Sequence, residues 1–231
     1  MTFTTSISVK DLIDWLNPKF LYHTVWQINA NALKNDPELQ NEVKEKHAQM
    51  VNISMKILSP ISVYGFYKFS ALNGTICPPH ECEINRDDTV AFQLVTLGPE
   101  AVEKARQLKE NGEYLDYFYW HGFCAALAEA FAARLHAMIR VEMGLEKEEE
   151  QSPEKEFRHE YPGKRLSFGY EALPDIMEQK NVLKLLNAEK IGIVSTESGM
   201  LEPEFSTCAM ILKCNTSFAS FARRGRGDVT L

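Results

Sequence analysis

A stretch rich in cysteine and histidine has the residue types of a metal site. Residues 77–82 read CPPHEC, so two thiols and one imidazole fall close together. Zinc binds these groups, but a structural zinc site has four ligands, and no second cysteine pair follows at the spacing of a zinc finger. The two prolines also suit a turn. We therefore favour a turn that carries free thiols at Cys77 and Cys82, and a metal site that includes His80 is the alternative.

A second set of residues has the chemistry to bind a charged small molecule. On a helical wheel Glu129 and His136 project from the same side of a long predicted helix, where flanking alanines would let a ligand approach the backbone. A carboxylate or a lone histidine on such a side is ordinarily just solvated. Farther along, Arg165 precedes Gly169 and Tyr170, and a guanidinium can bind a carboxylate through two hydrogen bonds. The same stretch can equally be an ordinary turn before a helix.

Motifs of the common nucleotide-binding and hydrolytic sites are absent from the sequence. It contains no G-x-G-x-x-G, no Walker A loop, no H-E-x-x-H and no G-x-S-x-G. A nucleotide-like ligand would therefore need a different arrangement of groups. The formal net charge of −7 argues against a protein that binds nucleic acid, because binding the phosphate backbone requires a basic face.

Composition and the N-terminal residues predict a cytoplasmic protein. Apolar residues make up 45% of the 231 positions and charged residues 25%, as in ordinary globular proteins. The sequence has no run of about 18 apolar residues and therefore predicts no membrane span. Residues 1–9 lack the features of a signal peptide. The five cysteines are therefore predicted to be free thiols.

Local signals predict the elements in the first part of the chain. A capping-box pattern over 8–11 predicts a short helix that an Asn-Pro pair at 17–18 ends. An aspartate cap followed by proline predicts an amphipathic helix over 36–58. Aromatic and β-branched residues predict two antiparallel neighbouring strands over 62–72 and 89–97.

The middle of the chain is predicted to contain the spine of the fold. A charged helix is expected over 99–111, and the longest helical pattern follows over 114–143, with apolar residues three or four positions apart. Residues 146–156 are dense in charge and predict a mobile linker, and residues 161–170 are predicted to be irregular.

The last part of the chain, after Pro174, is predicted to contain a helix and then two strands. A helix is expected after Pro174, followed by strands over 191–196 and 206–213 and a frayed tail over 223–231. Helices and strands do not alternate strictly, so we predict an α+β fold rather than a doubly wound parallel sheet.

Five segments, in the same order along the chain, resemble one protein family. The segments are 12–15 (LIDW), 63–66 (VYGF), 126–132 (ALAEAFA), 165–175 (RLSFGYEALPD) and 196–206 (TESGMLEPEFS). Together they are similar to the reactivation domain of cobalamin-dependent methionine synthase, which binds S-adenosylmethionine.

The resemblance implies a single C-shaped α+β domain over residues 1–231, with a twisted antiparallel sheet and flanking helices. It implies the activation component of a cobalamin-dependent methyltransferase, which presents the methyl group of S-adenosylmethionine for reductive methylation of a corrinoid in methionine biosynthesis. The corrinoid is expected on a separate methyltransferase or methionine synthase module that acts in trans. A flavodoxin-like electron donor is a further expected partner, whereas no nucleic acid, membrane or metal is expected.

The same resemblance assigns the site residues. Arg165 would bind the carboxylate of the ligand, while Asp14 and Glu129 would supply negative charge around its amino-acid part and sulfonium. The backbone groups of Leu166 and Phe168 would pair with the adenine edge.

Tyr170 would stand between the methyl donor and the corrin. Glu160 is assigned because the glutamate that the family has nearby falls on His159 here, and Phe168 replaces a proline of the family. If these two changes block the groove, the chain would dock or sense a corrinoid protein without using S-adenosylmethionine. That alternative stays open.

Overall fold

A five-stranded antiparallel sheet organises the protein. The computed structural model describes residues 1–72, 74–77 and 84–213. The strand order is β1-β2-β3-β7-β4, and β5 and β6 form a separate hairpin. The strands are β1 (Thr2–Ser6), β2 (Ile61–Lys68), β3 (Thr89–Thr96), β4 (Lys164–Ser167), β5 (Val194–Ser195), β6 (Leu201–Glu202) and β7 (Ser206–Leu212).

Helices cover both faces of this sheet. They are α1 (Val9–Ile13), α2 (Ala30–Asn35), α3 (Pro37–Ile57), α4 (Pro99–Glu110), α5 (Tyr114–Glu142), α6 (Pro153–Arg158) and α7 (Gln179–Leu186). A π-helical turn lies at Phe20–Val25, and 3₁₀ turns lie at Phe69–Leu72, Glu148–Glu150, Ile176–Glu178 and Ala188–Ile191. The predicted α+β fold with an antiparallel sheet is confirmed.

Capping residues set the starts of α1 and α3 as predicted. The Ser8 side chain accepts a hydrogen bond from the Asp11 amide, and Asp36 caps the amides of Glu38 and Leu39. α3 ends where the sequence predicts, whereas α1 is shorter than expected and a π-helical turn follows it.

The predicted pairing of the two central strands is confirmed. β2 runs antiparallel to β3, with Tyr64 opposite Gln93. Two flanking strands were not predicted. β1 is a short strand at the edge of the sheet, and β4 lies within the range predicted to be irregular. Both depend on pairing with distant residues, which local patterns do not show.

Successive side chains along each strand point to opposite faces of the sheet, so the hydrophobic core is divided into two parts. Tyr64 and Ile211 belong to the larger core under α5, whereas Val63 and Met210 belong to the core under α7. α5 is buried on almost every side. By length and composition it could cross a bilayer, but 72% of its most apolar window is buried inside the protein. It is therefore the core helix of the fold.

The charge-dense range 146–156 is structured. It contains a 3₁₀ turn and the start of α6, and both of its terminal glutamates pair with Arg140 of α5. Among the described cysteines, Cys77, Cys124 and Cys208 are free thiols, as predicted. His80 and Cys82 of the CPPHEC stretch, and the predicted tail over 223–231, lie outside the described residues.

Candidate functional site

An open groove of about 720 Å³ lies between α5, the loop after β4, and the hairpin formed by β5 and β6. Its walls include Glu129 of α5, Phe168 and Tyr170 from the loop, and Met200 beside the hairpin. This volume is typical of small-molecule sites. Three of the seven residues assigned from the family resemblance therefore line one groove.

An ion pair joins α5 to β4 at this groove. Arg165 Nη2 donates to Glu129 Oε2 at 2.8 Å, although the two residues are 36 positions apart. Arg165 lies opposite Ile211 in the register of β4 and β7, so it shares the sheet face that α5 covers. The Glu129 side chain is 52% exposed and that of Arg165 is 21% exposed, so both charges remain accessible to a ligand.

The turn after β4 brings an aromatic pair to the groove. Gly169 has a φ of +84°, a conformation that favours glycine, and its amide donates to the Leu173 carbonyl at 2.8 Å. Phe168 is buried on the groove wall, whereas Tyr170 is 71% exposed. Leu166 belongs, like Phe168, to the core under α7, but it does not line the groove. Its backbone lies on an edge strand of the sheet.

The groove has an acidic lining. Besides Glu129, it includes Glu103, Glu202 and Glu204. Hydrogen bonds from Arg106 and Gln107 lower the pKa of Glu103 to about 2, so this carboxyl group is ionised at neutral pH. Such a lining favours a cationic ligand.

A second polar contact lies on the same side of the groove. Glu204 Oε1 is 2.9 Å from His121 Nε2 of α5. His121 also stacks edge-on against Phe205, with ring centroids 5.1 Å apart. These contacts fix the segment between β6 and β7 to α5, and so define the acidic wall.

The turn between β5 and β6 forms one edge of the groove. The Thr196 amide donates to the Met200 carbonyl at 2.8 Å, and the Met200 amide donates to Thr196 Oγ1 at 3.0 Å. The Gln179 side chain donates to the Gly199 carbonyl and holds this turn on α7. Residues 196–198, the start of the fifth resembling segment, thus belong to a closed turn beside the groove.

Four of the seven assigned residues do not line the groove: Leu166, Arg165, which reaches its edge through the ion pair with Glu129, and the exposed residues Asp14 and Glu160. Asp14 is exposed at the end of α1, and Glu160 is exposed after α6. The neighbour of Asp14, Trp15, stacks against Arg134, which follows Glu129 by five positions on α5. α1 therefore packs near the site. His159 ends α6 with a φ of +55°, and burial together with the charge of Arg165 lowers its pKa.

A buried polar cluster was missed in the sequence. Arg140 of α5 contacts His136, Glu146 and Glu156, and its guanidinium lies 4.3 Å from the centre of the Tyr161 ring. His136 is fully buried rather than solvated. The available signal was an arginine four positions after His136 on the same side of the long helix, although its acceptors at Glu146 and Glu156 come from another segment of the chain.

Comparison with known proteins identifies the family of this chain. The family model described as "Vitamin B12 dependent methionine synthase, activation domain" matches residues 68–222. The chain belongs to this activation-domain family. The resemblance seen in the five sequence segments is therefore confirmed.

Curated relatives of this activation domain are much longer proteins. The methionine synthase of Mycobacterium tuberculosis is 36% identical over 131 residues, which cover 54% of this chain and 11% of the relative. The methionine synthase of Mycobacterium leprae is 34% identical over 131 residues, with the same coverage of 54% and 11%. The matched part of the activation domain thus corresponds to about a tenth of each relative's length.

A solved structure shares the fold of this activation domain. The crystal structure of the MetH reactivation domain bound to AdoHcy superimposes with a TM-score of 0.79 and 21% sequence identity. The similarity covers 97% of this chain and 86% of the solved chain. At this identity the match establishes the fold.

Proposed function

We propose that the groove binds S-adenosylmethionine and that the domain presents its methyl group to a corrinoid held by a partner protein. The observation that carries this proposal is the accessible Glu129–Arg165 pair on an acidic groove. When bound, S-adenosylmethionine supplies an electrophilic methyl group on its sulfonium. The protein contributes binding and alignment, since a displacement of this kind needs no acid or base from the chain.

The residues at the groove fit the charges of this ligand. S-adenosylmethionine carries a carboxylate, an ammonium and a sulfonium. Arg165 offers the planar donor group that binds a carboxylate. Glu129, Glu202 and Glu204 provide negative charge for the two cations, and the groove volume of about 720 Å³ accommodates an extended small molecule.

The remaining assigned residues have distinct proposed roles. The backbone groups of Leu166 and Phe168 pair with the adenine edge, because they lie on and directly after an edge strand. Tyr170 faces the corrin from its exposed position. Asp14 and Glu160 bind a part of the ligand that extends beyond the groove, since both are exposed and neither lines it.

The partner in this proposal is the corrinoid-binding part of a cobalamin-dependent methionine synthase. The curated relatives are methionine synthases, and the matched segment spans 11% of their length. The remainder of such a protein has ample length for corrinoid, homocysteine and folate modules. A flavodoxin-like protein is proposed as the electron donor, and the cytoplasm as the compartment.

Isothermal titration calorimetry with S-adenosylmethionine tests the proposed site. We expect binding to the wild type and at least tenfold weaker binding to Arg165→Ala, because a charge-assisted pair contributes about 1.5–3 kcal/mol. Arg158→Ala is the matched control, since Arg158 is an exposed arginine on the neighbouring α6. Equal affinity in the wild type and Arg165→Ala would refute this site.

A pull-down with a corrinoid protein separates the two functions considered from the sequence. If the wild type binds no S-adenosylmethionine yet retains the corrinoid protein, the domain is a docking or sensing module. If retention requires S-adenosylmethionine, or calorimetry detects its binding, the proposed function is supported.

A further inference from the structure

Three polar residues form a stripe along one side of α5. Glu129, His136 and Arg140 are separated by seven and four positions, which places them on the same side of an α-helix. Glu129 is exposed at the groove, whereas His136 and Arg140 are buried. The stripe therefore runs from the groove into the interior.

Arg140 is the centre of the buried part of this stripe. It is only 1% exposed, and its Nη1 lies 2.9 Å from His136 Nδ1. Nε and Nη2 donate to Glu146 at 3.2 and 3.0 Å, and Nη2 also contacts Glu156. Every nitrogen of the guanidinium is thus engaged, and both carboxylates come from the segment that leads to β4.

This cluster fastens that segment to α5 shortly before Arg165. Glu156 is buried in α6, and Tyr161 packs on the Arg140 guanidinium and edge-on against His136, with ring centroids 5.0 Å apart. Arg165 follows Tyr161 by four positions. The short connection means that the position of β4 relative to α5 depends on this cluster.

Arg165 lies within electrostatic reach of the same cluster. Burial raises the pKa of Glu156 and lowers that of His136, and the positive charge of Arg165 is a smaller influence on both groups. Glu156 therefore interacts with two arginines, directly with Arg140 and at longer range with Arg165. Arg140 is buried, whereas Arg165 pairs with Glu129, which lines the groove.

We propose that Arg140 is a positioning residue for ligand binding: by fixing Glu156 and the 146–161 segment on α5, it holds Arg165 opposite Glu129 for recognition of the ligand carboxylate. This inference rests on the proposed function, since it assigns a supporting residue to the same site. It adds a determinant of specificity that contacts no ligand.

A pair of ligands that differ only in the carboxylate tests this role. Calorimetry with S-adenosylmethionine and with its decarboxylated analogue reports how well Arg165 is placed. In the wild type we expect at least tenfold preference for the carboxylate form. In Arg140→Met we expect affinity for S-adenosylmethionine to fall at least tenfold, while affinity for the decarboxylated analogue stays within twofold.

Further variants separate positioning from general damage. Arg140→Lys keeps the positive charge but lacks the planar group that reaches these partners, so it should show the same selective loss if Arg140→Met does not fold. Arg158→Met is the matched control and should retain wild-type preference. Adding Arg165→Ala to Arg140→Lys should cause no further loss of preference, because both changes act through one contact.

The possible failures of the two proposals can be told apart. Wild-type protein that binds neither compound refutes the proposed function and the positioning role together. Wild-type protein that binds both compounds equally leaves S-adenosylmethionine binding intact and refutes the positioning role. A proportional loss of both affinities in the folded Arg140 variants would also refute it, since that is the result of a purely structural role.

Discussion

Arg165 on the edge strand β4 donates to Glu129 on the core helix α5 at 2.8 Å, so the two opposite charges meet at the groove. This pair connects two elements that form for different reasons. α5 forms from a local pattern, whereas β4 exists through its pairing with β7. Loss of this ion pair should affect the stability of the fold and the binding of the ligand differently, and the two effects can be measured separately.

Removing either charge of this pair should affect binding far more than stability. The pair is solvent-accessible, and such pairs typically contribute about 0.2–1 kcal/mol to folding. We expect Arg165→Ala and Glu129→Gln each to lower the free energy of unfolding in urea by less than about 1 kcal/mol. Both should weaken S-adenosylmethionine binding at least tenfold by calorimetry. A loss of stability large enough to explain the loss of binding would contradict this expectation.

Protonation of His136 should make the protein less stable in mild acid. Burial, followed by the charges of Arg140 and Arg165, holds the pKa of His136 well below 6.5. Unfolded chains therefore bind a proton at pH values where the folded protein does not, so this contribution to stability is complete above about pH 6.5 and is lost as the pH falls.

The expected slope for one such proton is about 1.4 kcal/mol per pH unit. His136→Gln should therefore show a shallower decline in the free energy of unfolding between about pH 6.5 and 5.5 than the wild type. His47 and His159, whose pKa values are also lowered, remain in both proteins and so act as an internal reference. Parallel pH curves for the two proteins would show that His136 does not titrate in this way.

Gly122 should be intolerant of a methyl group despite its place in a helix. A Cβ at this position would lie 2.6 Å from Val25 Cγ1, and 3.2 Å from Trp26 Cδ1. Helix propensity alone would make Gly→Ala stabilising by about 0.5–1 kcal/mol. Because valine is stiff at its first side-chain torsion, we expect Gly122→Ala to destabilise by about 1–3 kcal/mol in urea denaturation.

Ala125→Gly is the control for this experiment. Ala125 is exposed on the next turn of α5, so the change reports backbone propensity without a packing term. A stabilising effect of Gly122→Ala would mean that the Phe20–Val25 turn can move away from α5.

Truncation of Phe131 should cost a large part of the stability of the fold. Phe131 is fully buried on α5 within the larger core. Phe→Ala changes at such sites cost about 3–5 kcal/mol, since they remove buried contacts and leave a cavity. Phe118→Ala on the same helix should cost much less, because Phe118 is 40% exposed. Similar midpoints in chemical denaturation for the two variants would contradict this assignment of the core.

The parts of the fold that the sequence could predict are those that rest on neighbouring residues. The Asp36 cap and Pro37 fix the start of α3, and the aromatic and β-branched residues of β2 and β3 predict two neighbouring strands. The four residues of β4 carry no comparable signal, because their hydrogen bonds go to β7, more than forty positions away.

The site was predictable to a similar degree. The residue types of Glu129 and Arg165 indicate charged groups that can bind a ligand. The family resemblance assigns both residues to one site, where the structure pairs them. The burial of His136 was not expected, since a helical wheel shows its side of the helix but not that the 146–161 segment covers it. Long-range packing of charged groups, rather than any local preference, decided this part of the structure.

The position of β7 in the sheet affects the order in which the protein folds during synthesis. β7 lies between β3 and β4 and is the strand on which β4 is hydrogen-bonded. During synthesis, then, the sheet cannot extend to β4 until residues 206–212 have left the ribosome. A nascent chain halted before that point would already contain Glu129 and Arg165, yet it would lack the strand to which the arginine-bearing strand is hydrogen-bonded.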